Sequence, residues 1–114
     1  MSTHHHVDFF EIPVLDIAKA KAFYSAAFGW TYVDYGPEYA DVKGAGLSGG
    51  LRKSDVAPTR GGSMIILYSD DLAASEAAVK SAGGEVTVHH EFPGGRRFHF
   101  QDPSGNELAV WTKA

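Results

Sequence analysis

Residues 7–29, VDFFEIPVLDIAKAKAFYSAAFG, carry the pattern that decides the fold. An apolar segment ending at Val14 predicts a strand. Asp16 then stands where a helix N-cap belongs, because its side chain can accept a hydrogen bond from a free backbone amide. The apolar residues that follow recur at helical spacing as far as Phe28. Gly29 predicts the end of the helix, since glycine enters the left-handed region without steric cost.

The same order of signals returns in the second half of the chain. Asp71 precedes an alanine-rich helical segment as Asp16 precedes the first helix, and at the same offset Gly84 falls on Gly29. Unrelated amphipathic helices seldom share both a cap and a stop between similar strands. The sequence therefore predicts an internal duplication.

Each half is predicted to contain one strand, one helix and three further strands, so the fold class is α+β. We predict a single domain over residues 1–114. Module one covers about 7–53, and module two covers about 63–114. The loop 54–62 joins them, since it contains a proline and paired glycines. The predicted strands are residues 7–14, 30–35, 39–43, 47–52, 63–69, 85–89, 96–101 and 107–112.

Two glycine-containing segments lie between strands of the second half. Residues 102–106, Asp-Pro-Ser-Gly-Asn, predict a tight hairpin turn, since proline presets one torsion and Gly105 can take a positive φ. Asp102 is expected to stabilise its own turn. Residues 89–95, His-His-Glu-Phe-Pro-Gly-Gly, predict a mobile loop, either over a cleft or in solvent.

Composition excludes several classes of function. A net charge of −4 argues against a nucleic-acid surface, which needs a basic patch. The absence of cysteine excludes disulfides, thiolate metal sites and a cysteine nucleophile. No segment is apolar and long enough to span a membrane, so we expect a cytoplasmic protein without a membrane partner. His4, His5 and His6 are either a natural stretch or the remnant of a tag.

Five segments together resemble one known superfamily, and they span essentially the whole chain. The set is similar to the vicinal oxygen chelate superfamily, which includes glyoxalase I, bleomycin-resistance and fosfomycin-resistance proteins and extradiol dioxygenases; it most resembles the glyoxalase-like branch. The resemblance implies two βαβββ modules that form an incomplete barrel around a cleft. It also implies a divalent metal in the enzymatic members and a homodimer for a chain with one pair of modules. The segments are Glu11-Ile12-Pro13-Val14 with Asp16, Ala22-Phe23-Tyr24, Phe28-Gly29-Trp30, Ser81-Ala82-Gly83-Gly84 and Asp102-Pro103-Ser104-Gly105-Asn106.

The positions that hold the metal in this superfamily carry no suitable side chains here. By the resemblance, two ligands would stand seven residues before the capping aspartates, at Phe9 and Met64, and a third at Ala109. The segment 44–54, which would supply the remaining ligand, contains no His, Asp or Glu. Divalent ions prefer imidazole or carboxylate ligands. We therefore expect no cofactor of the family type.

Three polar residues remain as candidate catalytic groups in the implied cleft. Strand alternation puts Glu11 on the same face as Phe9, and Glu107 on the same face as Ala109. The resemblance also puts His99 in the site. A histidine beside carboxylates can act as a general acid or base, and the three together could instead form a displaced metal site. The alternative is structural: Glu11 caps backbone groups or pairs with Arg96 or Arg97, His99 makes one hydrogen bond, and Glu107 is solvated.

Aromatic and sulfur-containing side chains complete the candidate site. Such residues typically line ligand pockets, although they equally form protein cores. The first hypothesis is a protein that binds or transforms a small organic ligand without the family metal, and that is a lyase or isomerase related to glyoxalase I if it is an enzyme. The alternatives are a metal-dependent lyase, isomerase or dioxygenase with displaced ligands, and a non-catalytic dimeric module. The candidate ligand-binding residues are Phe9, Trp30, Tyr39, Met64, Tyr68 and Trp111.

Overall fold

A computed structural model describes residues 2–114 and contains eight strands and two helices within that range. Helix α1 begins at Ile17, directly after its predicted cap, and ends at Phe28 as predicted. Several strands are shorter than predicted. The first half contains β1 (Phe9–Val14), α1 (Ile17–Phe28), β2 (Thr31–Asp34), β3 (Tyr39–Lys43) and β4 (Ser48–Lys53). The second half contains β5 (Ile66–Tyr68), α2 (Leu72–Ser81), β6 (Glu85–Phe92), β7 (Gly95–Gln101) and β8 (Glu107–Lys113).

The eight strands form two four-stranded sheets, one from each half. The first sheet has the order β1-β4-β3-β2 and the second has the order β5-β8-β7-β6. In the first sheet β1 pairs in parallel with β4, and in the second sheet β5 pairs in parallel with β8. The remaining pairs are antiparallel. The architecture is thus mixed α+β without a closed barrel, and both halves follow the predicted order of elements.

Strand register shows how closely the two sheets correspond. Glu11 lies opposite Gly50 in the first sheet, and Ile66 lies opposite Ala109 in the second. Glu11 and Ile66 are equivalent under the offset that aligns Asp16 with Asp71, whereas their partners Gly50 and Ala109 are four residues further apart than this offset. The offset therefore matches β1 with β5, and the last strands of the two sheets are shifted relative to it.

The two predicted helix caps form as expected. The Asp16 carboxylate accepts a hydrogen bond of 2.9 Å from the backbone N–H of Lys19. In the second half, the Asp71 carboxylate accepts one of 3.1 Å from the N–H of Ala74. Each cap satisfies an amide that has no partner within the helix.

The two helices end differently, which corrects one predicted match. Gly29 has φ 75° at the end of α1, as expected. In the second half the left-handed residue is Gly83, with φ 105°, and not Gly84. A side chain at Gly84 would collide with Val79 and with Phe23 of the other half. Gly84 thus permits close packing between the halves and does not itself stop α2.

Buried side chains from both halves form one core. Ile12 and Val14 from β1, Phe98 and Phe100 from β7, and Phe23 from α1 all belong to it and are at most 3% exposed. Since alternate strand residues point to opposite faces, the other residues of these strands lie on the faces directed away from the helices. We call these the open faces of the two sheets.

The turn at 102–106 joins the two halves. The Asp102 carboxylate accepts hydrogen bonds from the backbone of its own turn, as predicted, but also one of 2.8 Å from the Tyr24 hydroxyl of α1. Ser104 Oγ accepts a bond of 2.8 Å from the N–H of Leu15, and Asn106 Nδ2 donates one of 2.7 Å to the carbonyl of Pro13. The turn therefore fixes the end of β1 against the second half.

The prediction of a loop at 89–95 is wrong. Strand β6 extends to Phe92 and β7 begins at Gly95, so this segment is a tight hairpin whose strands pair along their length. His89 bonds the Glu76 carboxylate of α2 at 3.0 Å, and this hydrogen bond is the main cause of the lowered Glu76 pKa. The glycine and proline content of this segment predicted a loop. Strand pairing and the His89–Glu76 contact with α2 instead fix it as part of the sheet.

Candidate functional site

The open face of the second sheet carries a histidine–glutamate pair. His99 Nδ1 lies 3.0 Å from Glu107 Oε2, and the two residues sit on the neighbouring strands β7 and β8. Because carboxylate oxygens only accept hydrogen bonds, the neutral imidazole carries its proton on Nδ1 and presents a lone pair at Nε2. His99 is 7% exposed, and its Nε2 is buried without a hydrogen-bond partner. The pair therefore has the geometry of an oriented acid–base group.

Ala109 creates the space in which the His99 ring lies. It faces His99 directly across the β7–β8 pair and is fully buried. On the opposite side, the ring of His90 contacts the His99 ring edge-on with centroids 5.1 Å apart. Ala109 and the His90 ring thus pack on either side of the imidazole and hold it in one orientation. A proton-transfer group has to be positioned in this way.

An aromatic recess adjoins this pair on the same face. Trp111 contacts Tyr68 with ring centroids 5.1 Å apart, and Phe92 lies 6.4 Å from Trp111. A recess of about 320 Å³ is lined by Ile66, Phe92, Arg97 and Trp111. The second sheet therefore combines an acid–base pair with an apolar surface wide enough for a small ligand.

Glu11 belongs to a separate cluster on the open face of the first sheet. Its carboxylate accepts hydrogen bonds of 3.0 Å from the Tyr39 hydroxyl and 2.9 Å from Arg52 Nε. Burial raises the pKa of Tyr39, and the hydrogen bond to Glu11 raises it further. The partner of Glu11 is therefore Arg52, and not an arginine of the second half as one alternative expected. Both bonding partners belong to the first sheet.

The three candidate catalytic residues are thus only partly brought together. His99 and Glu107 are in contact, whereas Glu11 and Glu107 share only the wall of a cavity of about 240 Å³, together with Met64. In the described range 2–114, no group of three or more His, Asp or Glu side chains is arranged to hold a metal ion.

The positions implied for the family metal do not fit a divalent ion. Phe9 is a phenyl group that is 45% exposed, Met64 is a thioether that lines two cavities, and Ala109 is a buried methyl group. None of these offers the oxygen or nitrogen that such an ion prefers. The donor set of this chain therefore disagrees with the ligand pattern that its resemblance implies.

A large cavity lies beside the open face of the second sheet and is lined by three of the candidate ligand-binding residues. Its volume is about 800 Å³, and it extends between the end of α1, the turn 44–47 and β5. Met64 and Tyr68 line it, as does Trp30, which stacks on Tyr24 at 4.7 Å and is only 3% exposed. Trp30 thus serves mainly as a core residue at the cavity wall. Among residues 2–114, the Tyr68 phenol is the one ionisable side chain that lines this cavity, so its described wall offers mainly apolar contact.

The candidate site residues predicted from the sequence did not include Arg97, His90 or Phe92. Arg97 is two residues before His99 on the same strand, so alternation along β7 would have put both on one face. His90 and Phe92 were assigned to a loop, and only the strand pairing of β6 with β7 directs them to this face. The positions of His90 and Phe92 therefore depend on the pairing of β6 with β7, which no local sequence pattern predicts.

Comparison with known proteins agrees with this architecture. The profile of the Glyoxalase/Bleomycin resistance protein/Dioxygenase superfamily matches residues 5–110. The chain therefore belongs to this superfamily.

Individual relatives are distant in sequence but similar in fold. The chain is 26% identical to a glyoxylase-like domain-containing protein of Didymella fabae, over 99% of this chain and 98% of that protein. A glyoxalase-related enzyme from Fulvimarina pelagi superposes with a TM-score of 0.79 at 20% identity, covering 96% of this chain and 88% of that one. A lactoylglutathione lyase from Agrobacterium tumefaciens gives 0.75 at 20% identity, covering 96% and 95%. The structural likenesses establish the fold.

The helices of the described chain are short. Across residues 2–114, none of them is long and apolar enough to cross a membrane.

Proposed function

We propose that this protein binds a small organic ligand on the open face of the second sheet and acts on it without the divalent metal typical of the superfamily. The observation that carries the proposal is the state of His99: Nδ1 is 3.0 Å from Glu107, while Nε2 is buried and has no partner. Buried polar atoms are nearly always hydrogen-bonded in native proteins. Nε2 therefore keeps an unused lone pair, which a ligand would bond after displacing the side chains that cover this atom.

Proton transfer is the chemistry that this arrangement supports. With its proton on Nδ1, His99 can accept a proton at Nε2 from an acidic C–H or O–H of the ligand, and Glu107 stabilises the resulting imidazolium. The proton can then be returned at another atom, which is the core of a lyase or isomerase reaction. Binding without turnover would use the same contacts.

The experiment uses protein prepared without a histidine tag and without metal-affinity resin. Elemental analysis should find no stoichiometric Zn, Ni, Mn or Fe. A ligand screen by thermal shift should then yield compounds that move the ¹⁵N resonance of His99 Nε2. Glu107→Gln should alter the His99 tautomer, since the amide can donate to Nδ1. Retained stoichiometric metal on the open faces, or ligands that bind without affecting His99, would refute the proposal.

We also propose that two copies of the chain associate through the open faces, with the ligand between them. Large apolar side chains remain exposed there, with Phe9 and Ile66 each 45% exposed and Tyr68 44% exposed. Covering such side chains is favourable, since apolar burial contributes roughly 25 cal/mol per Å². Light scattering should report a dimer, and Ile66→Lys should weaken it. Val56→Lys, in the exposed loop between the halves, is the matched control, and a monomeric wild type would contradict this proposal.

A further inference from the structure

Two buried nitrogen atoms on β7 lack partners and lie on the same face. Within residues 2–114, Arg97 Nε and His99 Nε2 are the buried side-chain nitrogen or oxygen atoms without a hydrogen bond. Residues two apart in a strand point to one face and are separated by roughly 7 Å. The two side chains therefore lie next to each other on the open face, with a donor on Arg97 and an acceptor on His99. Arg97 lines the aromatic recess, whereas the two unpartnered nitrogen atoms are themselves covered by neighbouring side chains.

The charge at the Arg97 end is positive and uncompensated. Arg97 makes no ion pair with any residue of the range 2–114. Its cross-strand neighbours are His90 and Trp111, and the carboxylate of Glu107 is already bonded to His99. A guanidinium in this position favours a planar anion that accepts hydrogen bonds in pairs.

The rest of the recess is apolar. Ile66, Phe92 and Trp111 line it with Arg97, and the rings of Phe92 and Trp111 are tilted by 39°. One guanidinium surrounded by carbon matches a single negative charge on a flat carbon skeleton; a phosphate dianion would call for more cationic groups. We propose that this recess binds a small aromatic carboxylate, with its carboxylate on Arg97 and its ring against Phe92 and Trp111.

This inference rests on the proposed function, because it orients the same ligand. Phe92 pairs with Gly95 and so lies on the side of Arg97 away from His99. A ring packed on Phe92 and Trp111 therefore leaves the carboxylate end of the ligand nearest His99. A proton-bearing atom at that end lies where the acid–base pair acts. Arg97 is thus a binding residue that selects the ligand class, and His99 is the group that acts on the ligand.

Isothermal titration calorimetry with matched probes tests the assignment. The probes are benzoate, phenylacetate and cinnamate, their neutral amides, and phenyl phosphate. At least one carboxylate should bind the wild-type protein at one site per chain. Its amide should bind at least tenfold more weakly. Phenyl phosphate should bind no better than the carboxylate.

Two arginine variants provide the matched comparison. Arg97→Gln should weaken binding of that carboxylate at least tenfold, whereas Arg96→Gln, one residue away on the opposite face, should change it less than twofold. Arg97→Lys keeps the charge but not the paired donors and should give an intermediate loss, and it replaces Arg97→Gln if the latter does not fold by circular dichroism. Absence of carboxylate binding, a preference for phenyl phosphate, or equal effects of both arginine variants would overturn the inference.

NMR spectra of His99 recorded with the same ligands separate this inference from the proposed function. If the carboxylate binds through Arg97 while the His99 resonances stay unmoved, the anion site stands and the proposed function fails. If ligands move the His99 resonances but Arg97→Gln has no effect, the carboxylate assignment fails and the proposed function stands.

Discussion

The hydroxyl of Tyr24 on α1 donates a hydrogen bond of 2.8 Å to Asp102 in the turn between β7 and β8. Tyr24 is fully buried and Asp102 is 5% exposed. Burial raises the pKa of Tyr24 well above its ordinary value, and the charge of Asp102 and the hydrogen bond raise it further. Since the two residues belong to different halves, this bond is part of the connection that makes one domain of two modules.

Removing the Tyr24 hydroxyl should destabilise the whole protein. Hydrogen bonds to charged groups contribute about 1.5–3 kcal/mol, and Tyr24→Phe keeps the ring and loses only this bond. We expect a loss of that size in the free energy of unfolding, measured by urea denaturation. Tyr32→Phe is the control, because its hydroxyl bonds the Lys21 carbonyl within the first half at 3.0 Å and carries no charge-assisted bond. Equal losses in the two variants would contradict the role given to Asp102.

The same pair predicts the response of stability to alkaline pH. The pKa of Tyr24 is raised in the folded protein, so the folded state holds this proton more tightly than the unfolded state does. The contribution to stability is therefore fully present below about pH 10, the ordinary tyrosine value, and decreases as the pH rises above it. Wild type should lose stability more steeply above pH 10 than Tyr24→Phe does. Parallel stability curves for the two proteins over that range would rule this out.

The fold was largely predictable because its signals are local. Asp16 and Asp71 cap the helices, and the capped segments repeat at one offset, so order and type of the elements follow from the sequence alone. The role of Asp102 was only half predictable. Its bonds within the turn follow from local chemistry, whereas the bond from Tyr24 joins residues 78 positions apart in the chain.

The candidate site was less predictable for the same physical reason. Strand alternation puts Glu11, His99 and Glu107 on open faces, but it does not state which side chains meet. Glu11 bonds Tyr39 and Arg52 of its own sheet, because β3 and β4 bring these residues beside it. The partners of a strand residue depend on pairing order, which the sequence pattern leaves open.

The close pairing of β7 with β8 depends on one glycine. Gly95 has φ 157°, and a Cβ there would overlap the carbonyl oxygen of Thr112 on β8. Gly95→Ala should therefore force the β7–β8 pair apart and cost about 1–3 kcal/mol, within the range for strained or overpacked positions.

Gly94 provides the control for this substitution. A Cβ at Gly94 would meet only the Phe92 ring, at 3.7 Å, which is ordinary contact. Gly94→Ala should change the free energy of unfolding by less than about 0.5 kcal/mol, as surface substitutions usually do. Thermal unfolding of the two variants checks the difference. Similar midpoints would show that the strand pair accommodates a methyl group at position 95.

The cluster around Glu11 gives a last prediction, in which substitutions of Glu11 and of Arg52 shift the pKa of Tyr39 in opposite directions. Burial raises the pKa of Tyr39, and the hydrogen bond and negative charge of Glu11 raise it further, whereas the charge of Arg52 lowers it. Glu11→Gln removes the negative charge and should therefore lower the Tyr39 pKa. Arg52→Gln removes the positive charge and should therefore raise it. Labelling tyrosine with ¹³C at the ring carbon that bears the hydroxyl allows NMR to follow Tyr39 apart from the other four tyrosines. Shifts of the same sign in both variants would mean that the hydroxyl of Tyr39 does not bond the Glu11 carboxylate in solution.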